Sequence, residues 1–123
     1  MNRMEITARV PKEAEALLRE KGYVAPVDLL LRLDWLRDAD HQAWRKGQVP
    51  YLERVVSGNL SRLSFAMGEL RRFARDRGLR PSWSAYVKWG KGARTPLRFS
   101  RSGDQGIERA YATHWVVAKE AKE

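Results

Sequence analysis

The chain has 123 residues, no cysteine, two histidines and a formal net charge of +9. That size suits one compact domain with a modest core, and the missing cysteines exclude disulfide frameworks, zinc ribbons, thiol catalysis and iron–sulfur chemistry. No apolar run approaches the roughly 20 residues that span a bilayer, and "MNRMEITARV" lacks a signal peptide's apolar core; the expectation is a cytoplasmic protein with no membrane partner, metal or cofactor.

Residues 5–10 alternate Ile6, Ala8 and Val10 against Thr7 and Arg9, the period of a short half-buried strand. Pro11 then suits the first turn of a helix, with Glu13 and Glu15 near its positive end and Gly22 as its stop. Pro26 opens a second helix, with Val27, Leu30, Leu31 and Trp35 on its buried stripe. A third, capped by Asp38 or Asp40, ends at Gly47. The strongest helical pattern starts at Asn59 as N-cap and closes at Gly78. Its apolar stripe is Leu60, Leu63, Met67, Leu70 and Ala74, broadened by Ala66 and Phe73.

From Pro81 the composition changes. "SWSAYVKW" and "LRFS" alternate and are rich in aromatic and β-branched residues, and "GKGARTP" between them supplies turn chemistry. This predicts a β-hairpin with a long loop. Asp104 is placed to cap a last helix over "QGIERAYATHWVVAKE", although Thr113, Val116 and Val117 also allow a strand there. The expected architecture is an α+β fold: a mainly helical single domain over residues 1–123, with a β-hairpin in its C-terminal half and a winged-helix-like order.

The charge is concentrated. Residues 42–101 hold fourteen Lys or Arg against three acids, and eleven of the fourteen are Arg; the acid-balanced helical segment 1–41 and the C-terminal segment 102–123 each carry a net −1. Solubility alone would spread charge evenly. A basic block instead suits a polyanion, and the planar guanidinium pairs with phosphate bidentately and stacks on bases. The candidate nucleic-acid contacts are Arg45, Lys46, Arg62, Arg71, Arg72 and Arg75, then Lys88, Trp89, Lys91, Arg94, Arg98 and Arg101 on the hairpin. Trp83, Tyr86, Trp89 and Phe99 are candidate stacking platforms, with Trp89 the one expected in solvent.

Three local patterns resemble known modules. A helix followed by a basic hairpin is similar to the order in winged-helix DNA binders, which implies residues 59–77 as reader and 85–101 as wing. "WRKGQVP", Trp44 to Pro50, resembles the end of the recognition helix in excisionase-like and MerR-like modules. "ITARVPKEAEALLREKG" resembles the opening of ribbon–helix–helix proteins, which would put Thr7 and Arg9 outward on a strand that pairs across a homodimer. Each is confined to its own segment, and together they assign no family.

The leading expectation is a nucleic-acid-binding protein, with duplex DNA favoured over RNA. A second is a metal-independent ribonuclease or toxin-like enzyme using His114 or Glu108 as base and Arg109 on the phosphate. A third is an accessory protein that docks an acidic partner. His41 beside Asp38 and Asp40 reads as a capping cluster, and nothing in the sequence requires it to approach His114.

Overall fold

A computed structural model describes residues 1–118 of the chain. In chain order the elements are α1 (Arg3–Lys21), β1 (Tyr23–Val24), α2 (Pro26–Arg32), α3 (Asp38–Arg45), a 3₁₀ turn (Leu52–Arg54), α4 (Leu60–Asp76), β2 (Arg80–Trp83), α5 (Gln105–Ala112) and β3 (Thr113–Val116). The fold is α+β, as expected.

The predicted N-terminal strand is instead the start of α1. Asn2 accepts a hydrogen bond from the Glu5 backbone N–H, and the Glu5 side chain accepts one from the Asn2 N–H, a complete capping box. The buried residues Ile6, Val10, Ala14 and Leu17 recur at helical spacing, and Ala8 of the apparent alternation is exposed. Pro11 therefore lies inside the helix. It forfeits one backbone hydrogen bond, a cost offset by burying the stripe against α4. Arg9 consequently lies on a helix, where it pairs with Glu13 at 3.5 Å and caps the Arg32 carbonyl. Gly22 ends α1 at φ 81°, donating its N–H to the Leu18 carbonyl.

Pro26 opens α2 as predicted, whereas the N-cap of α3 is Arg37, with Asp38 and Asp40 inside its first turn. Asn59 caps α4 through the Arg62 N–H. The buried face of α4 is Leu63, Ala66, Glu69, Leu70, Phe73 and Ala74. Leu60, assigned to that stripe from sequence, is 65% exposed, because the stripe rotates toward Ala66 and Phe73.

The sheet is antiparallel, with order β1-β3-β2. β3 pairs with both neighbours, setting His114 opposite Ser82 and Val116 opposite both Tyr23 and Arg80. The last predicted helix thus stops at Ala112, and Thr113–Val116 form the central strand, the alternative that Thr113, Val116 and Val117 allow. Positions 119 and 120 of that predicted helix lie outside the described residues. Residues 84–98 reverse direction as predicted but form no two-stranded ladder. They join at one bridge, Val87 to Pro96, flanked by Lys88 N–H to Thr95 O and Leu97 N–H to Tyr86 O, both 2.8 Å. The alternating aromatics here pack against helices: Trp44 of α3, fully buried, lies 5.7 Å from Tyr86 and 5.2 Å from Phe99.

Candidate nucleic-acid interface

The cations assigned from sequence separate into three groups by what they touch. On α4, Arg71, Arg72 and Arg75 are exposed, and the acids beside them offset some of their charge. Arg72 lies 4.0 Å from Glu69 and Arg75 4.0 Å from Asp76, while Arg77 pairs with Glu15 of α1. Arg62 is exposed on the first turn of α4.

The second group has a structural role. Arg98 folds back so that its Nε donates to the Ser100 carbonyl at 2.8 Å and its Nη2 to the Arg101 carbonyl, with the guanidinium 5.8 Å over Tyr51. Its own carbonyl accepts from the Trp44 indole and the Leu52 N–H. Arg101 joins through its backbone alone: its N–H donates to Glu53, which also accepts the Tyr111 hydroxyl at 2.8 Å, while its side chain is exposed and forms no ion pair among the described residues. Burial, then that bond, drive the Tyr111 pKa well above its ordinary value. Glu108 completes this clamp by accepting the N–H groups of Phe99 and Ser100 at 2.9 and 2.6 Å and the Ser100 hydroxyl at 2.5 Å.

The third group surrounds the loop. Lys88, Lys91 and Arg94 are exposed, and among the described residues none forms an ion pair. The Lys88 stem packs on Gly47, where a Cβ would meet it at 3.1 Å; with φ at 77°, this position favours glycine. The adjoining end of α3 adds exposed Lys46 and half-buried Arg45. The Arg45 guanidinium lies 4.9 Å over Tyr86 and 4.7 Å over Trp89, and the Arg45 carbonyl accepts the Trp89 N–H at 2.7 Å. Arg45 Nε is buried with no hydrogen-bond partner among the described residues. Trp89 is 44% exposed and Trp83 67%, whereas Phe99 is core.

Helix α5 stands between the first and third groups. Its Gln105, Glu108 and Ala112 face the loop across a cavity that Trp83, Val87 and Leu97 also line. Its Gly106, Ile107 and Ala110 face α4 across another, with Leu60, Met67 and Arg71. Reader and wing are therefore not side by side. Among the residues of the alternative catalytic reading, Glu108 and Arg109 line the loop cavity, and His114 lines a different one.

That last cavity is not legible in the sequence. It holds about 270 Å³ between α1, β1, α2, α3 and the loop, and both histidines of the chain line it, with Lys21, Tyr23, Asp28, Arg45, Tyr86 and Trp89. His114 stacks on Tyr23 at 5.1 Å and its Nε2 lies 2.8 Å from the Tyr86 hydroxyl. His41 meets Trp89 edge-on at 5.9 Å. Burial, then the neighbouring Arg45, lower the His41 pKa; burial also lowers that of His114 and raises that of Tyr86. Among the described residues no three His, Asp or Glu are grouped so as to hold a metal ion, and no helix is long and apolar enough to cross a membrane.

No protein-family model, curated protein or solved structure matches the chain.

Proposed function

We propose that the protein binds nucleic acid, and that its working surface is the loop 88–96 together with the C-terminal end of α3. The observation that carries this reading is the juxtaposition of exposed Lys88, Lys91 and Arg94, unpaired among the described residues, with an exposed Trp89 backed by Arg45. Cations that no carboxylate neutralises are the ones that release counterions from a phosphate backbone. An exposed indole in a basic surface is a stacking platform, and unpaired bases offer the ring faces it needs. The cations serve either form, and the stacking platform favours a single strand. The duplex preference drawn from a winged-helix order loses its support, because α5 separates α4 from the loop.

A second reading has its own observation. The exposed arc of α4 displays Ser61, Ser64, Arg71, Arg72 and Arg75, a face suited to a duplex backbone. The test is titration of single-stranded and duplex oligonucleotides of equal length at several salt concentrations. Tighter binding of the single strand, with steep salt dependence, supports the loop surface. Preference for duplex that is lost on replacing Arg71, Arg72 and Arg75 transfers the function to α4.

A further inference from the structure

The cavity lined by both histidines shares Arg45 and Trp89 with the loop surface. Its walls combine three chemistries. Aromatic rings come from Tyr23, Tyr86 and Trp89, cationic groups from Lys21 and Arg45, and imidazoles from His41 and His114. Arg45 lies over two of the rings, and its buried Nε–H has no acceptor among the described residues. A buried guanidinium N–H is costly to leave unsatisfied, and a phosphate oxygen is the acceptor it suits best. Lys21 is held at 3.0 Å by Asp28, so the cavity has only a small excess of positive charge. A bare anion gains little from such a site, and an uncharged aromatic leaves Arg45 unanswered. A nucleotide supplies both the ring and the phosphate.

We propose that this cavity seats one nucleotide of a bound single strand, its phosphate taken by Arg45 and Lys21 and its base held against Trp89. The proposal rests on the strand-binding reading above and deepens it: the loop cations hold the backbone while the cavity takes one unit out of it. His41 and His114 lie on the cavity wall, where burial lowers the pKa of both and so disfavours their charged forms.

The two histidines make the test direct, because the chain has only two imidazole signals and a single His41→Gln variant assigns them. The full chain is titrated at low salt with adenosine 5′-monophosphate, adenosine, inorganic phosphate and a single-stranded decanucleotide, followed by calorimetry and by the imidazole resonances. The expected result is saturable binding of the monophosphate that shifts both imidazoles, with adenosine and phosphate each about tenfold weaker. Trp89→Leu and Arg45→Met should each weaken the monophosphate about tenfold. Because Arg45 has packing contacts and its replacement risks the fold, exposed Trp89 and the imidazole shifts carry the result independently. If the decanucleotide binds but the monophosphate neither binds nor moves the imidazoles, the cavity proposal is overturned and the loop reading survives. If neither binds, both fall.

Discussion

Arg45 and Glu108 show how little a residue's type reveals about its task in this chain. Arg45 belongs to the basic block, yet its guanidinium is fixed in place by Tyr86 and Trp89. Arg45→Lys keeps the charge and loses the plane that stacks, so single-strand affinity should fall about fivefold in a filter-binding or anisotropy titration. Affinity equal to wild type would mean that only the charge matters. Glu108, a candidate general base by residue type, is the acceptor for two backbone N–H groups and one hydroxyl. Glu108→Ala strands those donors and should cost about 2–3 kcal/mol of stability in urea unfolding. A loss below about 0.5 kcal/mol would show that water replaces the carboxylate at no cost.

Among the elements, the loop and α4 make separable predictions. Replacing Lys88, Lys91 and Arg94 by Gln should weaken single-strand binding and reduce the salt slope by about 2, the value for three phosphate contacts on a single strand. Replacing Arg71, Arg72 and Arg75 by Gln should leave that slope within experimental error, since Glu69 and Asp76 already offset two of the three. The elements legible in the sequence are those whose signals are local: Asn59 and Gly78 around α4, Pro26 opening α2, Asp104 capping α5. The segment 5–10 resembles a strand because Ile6 and Val10 satisfy periods of two and of four at once. Only Ala14 and Leu17, beyond Pro11, show that the helical stripe is continuous. Thr113, Val116 and Val117 signal β3 locally, but its place between β2 and β1, the latter about 90 residues earlier in the chain, is set by pairing that no short window contains. The cavity is hidden for the same reason. His41 and His114 are brought to one wall by that pairing and by α3 packing beside the loop.

For the molecule as a whole, the two histidines link the fold to pH. Both have folded pKa values below the ordinary 6.5, caused first by burial. His41 is lowered further by Arg45 and Lys21 and raised by Asp28 and Asp38; His114 is lowered by Lys21 and raised by Asp28. Below about pH 6.5 the unfolded chain takes up protons that the folded chain refuses, so their contribution is complete above that pH and is lost as pH falls through the folded values. The melting temperature should therefore drop between pH 7.5 and 5, and the drop should be smaller in a His41→Gln, His114→Gln double variant. Equal drops in the two proteins would assign the effect to other groups. The charge map has a similar reading at this scale. The block from 42 to 101 is a single run in sequence, but the fold divides it into an acid-paired helix face, a structural clamp and one open cationic loop beside an aromatic cavity. The most direct test of that division is a salt-titrated comparison of single-stranded and duplex oligonucleotides, made with wild type, the loop triple variant and the α4 triple variant. The prediction is tighter binding of the single strand, with its salt slope reduced by the loop changes and unmoved by the α4 changes. A duplex preference that depends on Arg71, Arg72 and Arg75 and ignores the loop would contradict it.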